Sequence, residues 1–294
     1  MEKINQLNQA FNQLAFHHAI STLVYFIISL VLIWISRQVF KRFNSKIDIN
    51  HELVEKDNVA FAILNVGYFI GVLMCAGATL IGNSNGIITD VLLILAYGMT
   101  GILLLNISLV INAKVIYKKL NIFHEVIENK NIGIGIVICS NYVAIGFIIL
   151  GTLTSESGSI INTLLIWVVG QILLFLATKF YDFITPYKVN LYLLKENIAV
   201  GIGYGGSIIA FGNLIYFSIQ ENFVSYSQYG LNILTYTGIG LVLLPIIRLL
   251  TDKILLPNQK LTDELINQEK PNLGAAFLEA FSYIGGSILI SWCL

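Results

Sequence analysis

The chain has 294 residues, 56% of them apolar and only 12% charged, about half the charged share of a soluble protein. Mean hydropathy is +0.78, and 17 basic residues balance 17 acidic ones, so no net field draws in nucleic acid and none is expected as a partner. A soluble enzyme is excluded, and the lipid bilayer is the first partner the composition calls for.

Long runs almost free of charge occupy about 19–36, 59–81, 87–113, 131–153, 160–178, 198–219, 229–247 and 273–294. Each is roughly long enough to cross a hydrocarbon core, and unpaired backbone in lipid must close on itself, so all eight are expected to be transmembrane helices in an all-α, polytopic fold. Ahead of the first, Ile4, Leu7, Phe11 and Leu14 recur at helical spacing, as in a short helix on the outer interface, or in a polar tail over 1–18. A secretory signal has its positive charges before the apolar core, whereas Arg37, Lys41 and Arg42 follow this one, so it reads as a retained anchor, not a signal peptide. The connections near Gly82–Gly86, Thr154–Ser159 and Gln220–Gln228 hold no Lys or Arg, whereas the other four carry every basic residue but Lys3. Loop Lys and Arg resist translocation, so the long basic loops are expected in the cytoplasm and both termini outside.

A similar phrase opens every even-numbered span: Asn58-Val59-Ala60, Asn131-Ile132-Gly133, Asn197-Ile198-Ala199 and Asn272-Leu273-Gly274. Asn is a strong helix N-cap, and the four Asn are read as caps at the cytoplasmic side, where converging helix N-termini could also meet an ion or an anionic headgroup. Aligned on Asn, position +2 reads Ala60, Gly133, Ala199, Gly274 and position +13 reads Gly71, Ala144, Ala210, Gly285. Position +9 is small in three copies, Gly67, Ser140 and Gly206, and Phe281 in the fourth. Small residues on one face let helices approach closely in lipid. Asn58 and Asn197 lie 139 residues apart, and Asn131 and Asn272 lie 141 apart. Two four-helix repeats, 19–153 and 160–294, each made of two helix pairs in the same sense, account for both spacings.

Polar groups recur inside the spans. Position +10 is Tyr68, Asn141, Ser207 and Ser282, and position +7 adds Asn65 and Glu279. Eight residues before the basic end of the odd spans stand Ser29, Asn106, Gln171 and Gly240. Such groups should face other helices or a wet cavity. Glu279 stands out as a carboxyl among Phe277, Leu278, Ala280 and Phe281. It can serve as a proton relay or cation site, with Asn65 the expected partner, or act as a neutral packing group. Gly201-Ile202-Gly203-Tyr204-Gly205-Gly206 satisfies GxGxxG, yet a membrane helix offers no preceding strand, so tight packing is the better reading. Cys75, Cys139 and Cys293 are single and far apart, and His17 and His18 have no other His or Cys near them. No metal, no cofactor and no catalytic constellation is expected.

Thr185-Pro186-Tyr187, then Leu194-Lys195-Glu196-Asn197-Ile198-Ala199-Val200-Gly201, the Gln171 span before them, and Gln268-Glu269-Lys270-Pro271-Asn272-Leu273-Gly274-Ala275-Ala276 resemble the YjfL-like family of bacterial inner-membrane proteins, a domain of unknown function. The resemblance covers most of the chain as two tandem copies, with the second closer. It implies residence in the bacterial inner membrane and a link to envelope stress, and it supplies no catalytic residues.

The residues favour a non-enzymatic protein that passes protons or small inorganic cations through a polar interior surrounded by the four helix pairs. The competing expectation is a membrane scaffold or accessory protein whose loops recruit an envelope-stress partner. A second copy of the chain is a further candidate partner.

Overall fold

The computed structural model describes residues 2–81, 84–155, 160–220, 225–257 and 259–293, with side chains from His18 onward. The described residues form helices α1 (Glu2–Phe43), α2 (Val59–Gly77), α3 (Ile87–Val115), α4 (Ile132–Thr154), α5 (Ile160–Ile184), α6 (Val189–Leu194), α7 (Ile198–Gln220), α8 (Tyr226–Ile254) and α9 (Leu273–Cys293). All but α6 are long and apolar enough to span a bilayer, which makes this a multi-pass membrane protein of all-helical class. The N-terminal stretch is neither a separate short helix nor a tail, because α1 runs unbroken from Glu2 into the first span. The side chains of Ile4, Leu7, Phe11, Leu14 and His17, and parts of the three short connections, lie outside the described residues.

Each inner helix starts where the sequence places its cap. The oxygen of Asn58 accepts the amide of Phe61, and Asn131, Asn197 and Asn272 do the same for Ile134, Val200 and Ala275 at 3.0–3.1 Å. In three units the preceding residue is left-handed, at φ 46° for Asp57, 50° for Lys130 and 60° for Glu196. That sharp bend turns the loop into the helix. The fourth unit has Pro271 there, whose ring holds φ negative.

Helices α2, α4, α7 and α9 pack side by side in that order, with α1, α3, α5 and α8 laid against them. The four pairs therefore form a row and do not close around a polar interior, which corrects that expectation. The two central helices have neighbours on both sides and are 78% and 89% buried over their apolar stretches, against 56% and 50% for α2 and α9 at the ends.

The small residues explain the row. A Cβ added to Gly67 would lie 2.5 Å from the Cys139 backbone, one on Gly201 2.6 Å from Gly133, and one on Gly206 2.5 Å from Ala280. The helices thus touch backbone to backbone, and dispersion between close surfaces replaces the absent hydrophobic drive. Positions +2, +9 and +13 form one packing face, and that face meets the next inner helix. A second stripe at +4, +8 and +15 faces the previous one, with Gly135 against Ala60, Gly146 against Gly71 and Gly212 against Ala144. At the ends both stripes fail: Phe281 on α9 is 66% exposed, and Val66 and Leu73 on α2 are 55% and 45% exposed. The same seam cannot be extended past either end without displacing these three side chains.

Candidate functional site

The capping asparagines do more than end helices. The side-chain nitrogen of Asn58 donates to the Val126 carbonyl at 2.9 Å, that of Asn131 to Leu193 at 2.8 Å and that of Asn197 to Leu265 at 2.9 Å. Each unit is thereby stitched to the loop of the next one. Asn58, Asn131 and Asn272 also donate to Glu52, Glu125 and Glu264 of their own loops. The amides are engaged in structure and do not converge on one mouth. Burial would raise the pKa of Glu52, but hydrogen bonds from Lys56 and Asn58 outweigh it and hold the carboxyl below its ordinary value.

The mid-membrane polar residues fall into separate groups. Asn65 donates to the Phe61 carbonyl at 2.9 Å, Ser207 to Tyr204 at 2.7 Å and Ser282 to Leu278 at 2.8 Å, all within their own helices. Asn106 donates to the Tyr68 hydroxyl at 3.1 Å, and Tyr68 donates to the Ser36 carbonyl. At the centre, Asn112 reaches Asn141 at 3.3 Å and Gln171 at 3.5 Å.

Glu279 is fully buried, and its partner is not Asn65, which lies in the other half and satisfies itself on its own helix. The partner is Arg248 of α8, whose Nε is 3.1 Å from Oε1. Arg248 is thus not a loop residue but a buried cation, 9% exposed. Apolar sequence on both sides of it, Pro245-Ile246-Ile247 and Leu249-Leu250, is the signal that the span continues past it. Tyr181 of α5 donates to the same oxygen at 3.4 Å. The second carboxylate oxygen, Oε2, Arg248 Nη2 and the Tyr283 hydroxyl are buried without a hydrogen-bond partner among the described residues. Three orphaned polar atoms around one ion pair are costly unless water or a small ligand meets them.

Residues 13–153 and 155–294 each match the family described as Domain of Unknown Function (DUF350). The chain belongs to this family. No curated protein and no solved structure matches it.

Among the described residues the second DUF350 copy alone carries this buried pair, and around it the polar groups line up. Glu279, Tyr283, Ser287 and Ser291 follow one another at intervals of four on α9, a stripe of about 18 Å at the helical rise. Asn213 of α7 donates to both Ser287 and Ser291 at 3.3 Å. At the other end, Tyr187 lines a cavity of about 530 Å³ with Lys119, Asp182, Lys188 and Asn190 on the basic-loop side. Burial, followed by the charge of Glu279, pushes the Tyr187 phenol well above its ordinary value. The stripe was missed in the sequence because Ser and Tyr at spacing four look like ordinary helix filling until α7 is seen to close over them.

Proposed function

We propose that the chain moves protons or small cations across the bacterial inner membrane, along the α7–α9 seam of its second DUF350 copy, and has no enzymatic activity. The orphaned buried atoms at Glu279, Arg248 and Tyr283 carry this reading, because they cluster at one end of the polar stripe on α9, on the same side as the cavity lined by Tyr187. Intramembrane ionisable groups facing a bundle interior are the usual markers of an ion path. In this proposal the basic loops lie in the cytoplasm, so the cavity opens there and Ser291 lies towards the outside. Flux through the purified chain in liposomes tests the reading. Wild type is expected to dissipate an ion gradient and Glu279→Gln to slow it by about a hundredfold, the scale of a lost proton-transfer group. Equal flux in both proteins removes Glu279 from the path.

One observation favours a non-transporting scaffold instead: Asn65, Ser207 and Ser282 are satisfied within their own helices. The reading of a dry, purely structural interior is tested by single cysteines at Ser207 and Ser287 on a background lacking Cys75, Cys139 and Cys293. Labelling at 287 by a water-soluble thiol reagent, with 207 protected, places water in the stripe; protection at both supports a scaffold, for which a cytoplasmic envelope-stress protein or a second copy of the chain would be the partner.

A further inference from the structure

We infer that the species handled at Glu279 is the proton and not a metal cation, and that Arg248 makes this selection. The inference rests on the transport reading and narrows it. A hard metal cation is held by about six or more oxygen ligands that replace its water. Glu279 is surrounded differently. From α8 it faces Arg248, with Asp252 one turn further on and close enough to exert a field. Tyr181 faces it from α5, Tyr187 from the loop after α5, and Tyr283 from its own helix. From α7 it meets Gly203, which has no ionisable group.

Two features close the carboxylate to a metal. One oxygen is held by Arg248 at 3.1 Å and by Tyr181 at 3.4 Å. A guanidinium stays charged under all ordinary conditions, so the place a cation would take is already filled by one. The other oxygen, Oε2, is pressed against α7, where a Cβ on Gly203 would collide with it. Among the described residues no group of three or more His, Cys, Asp or Glu side chains gathers here or elsewhere. A proton needs no such shell. In this scheme a hydronium ion arriving from the Tyr187 side gives up one O–H bond as Oε2 forms its own, which leaves a water behind and neutralises the carboxylate. That O–H bond then breaks as the proton passes to water on the Ser287–Ser291 side, which restores the charge pair with Arg248. Gly203 is a positioning residue in this scheme, since only a residue without a Cβ lets Oε2 lie where it does.

The full chain in liposomes loaded with a pH-sensitive dye tests this, with an imposed pH gradient and a lipophilic ion to compensate charge. Wild type is expected to dissipate the gradient at one rate in sodium, potassium or N-methylglucamine chloride, and Arg248→Gln to admit sodium or potassium, read as a shift in reversal potential. Arg248→Lys should keep proton selectivity. The variant carrying both Arg248→Gln and Glu279→Gln preserves shape without charge and should pass neither. Wild-type sodium or potassium flux that vanishes in Glu279→Gln overturns proton selectivity while upholding transport. Arg248→Gln that stays strictly proton-selective overturns the role of the arginine. Silence towards every ion in folded protein removes transport and this inference together.

Discussion

The two DUF350 copies have kept one scaffold and parted in chemistry, as the α3–α4 pair of the first and the α8–α9 pair of the second show. At +7 from the capping Asn, α9 has Glu279 and α4 has Ile138; at +11 both have a tyrosine, Tyr283 and Tyr142, each with a hydroxyl that has no partner among the described residues. The first basic residue towards the loop end of the longer helix is Arg248 in α8 and Lys114 in α3. Arg248 is drawn inside to Glu279, whereas Lys114 makes no ion pair among the described residues and stays exposed at the rim of an apolar cavity of about 270 Å³ lined by Phe40, Phe61, Ile138 and Tyr142. A buried cation is tolerated only with its counter-charge, so Ile138 in place of Glu279 suffices to keep the lysine out. The copies teach that the small-residue seams set the architecture and that one carboxylate decides where charge enters it.

The comparison breaks most visibly at the pair itself. Removing one partner of a buried ion pair strands the other, at a cost of about 3–5 kcal/mol. Arg248→Met is therefore expected to lower stability by that amount in thermal unfolding in detergent. Arg248→Met combined with Glu279→Leu should recover most of it, while Lys114→Met in the first copy should change stability by less than about 0.5 kcal/mol. A double variant no more stable than the single one would show that the pair is not coupled as the structure has it.

Next in size is the seam, the feature both copies share. Gly201→Ala places a Cβ against the backbone of Gly133, which cannot yield as a side chain can, and is expected to destabilise by about 1–3 kcal/mol. Gly285→Ala, at the open face of α9 where only Phe281 of the same helix approaches, should be neutral or slightly stabilising, since Ala is the better helix former. Equal effects at both positions would mean that the row is not open at α9.

These contrasts also mark how far the sequence reaches. The spans, the caps and the +2, +9 and +13 stripe are legible because each is a local pattern, namely hydropathy, one residue type before a helix, and a period. Phe281 already broke that stripe in the sequence, and it lies at the end of the row. The Arg248–Glu279 pair was illegible because it joins residues 31 apart on different helices, and because a basic residue near a loop is read as belonging to it. Polarity of the spans implied a shared interior, but Asn65, Ser207 and Ser282 bond to carbonyls one turn away. A pattern along one helix does not say whether a side chain turns to its neighbour or to itself.

A smaller contrast separates the interior caps from the last one. Asn131 satisfies its own helix, donates to Glu125 and stitches on to Leu193, whereas Asn272 caps α9 and donates to Glu264, with no third side-chain bond among the described residues. Losing a cap alone costs about 0.5–2 kcal/mol. Asn131→Ala should fall at or above the top of that range and Asn272→Ala near the bottom, measured by equilibrium unfolding. Acid acts on the same loops. Because Glu52 is held below its ordinary value in the folded chain, its contribution is complete above that ordinary value and is lost as pH falls through the lowered one. Glu52→Gln is thus expected to flatten the acid limb of the stability profile.

The smallest effect comes from the bend before the caps. Asp57, Lys130 and Glu196 are held left-handed, a conformation that costs a residue with a Cβ about 1–2 kcal/mol. Lys130 offsets part of this through a 2.7 Å hydrogen bond from its ammonium to the Lys56 carbonyl, so replacing it mixes two effects. Glu196 is exposed and its side chain makes no such bond among the described residues, which leaves strain as the main term. Glu196→Gly is expected to stabilise the chain by up to about 1 kcal/mol, the relief of strain being reduced by the greater freedom of glycine in the unfolded state. Pro271, at the same place in the fourth unit, already avoids the bend, so Pro271→Gly should destabilise instead. Opposite signs at these two positions, read from the same unfolding curves, are what a strained turn in three units and a relaxed one in the fourth require.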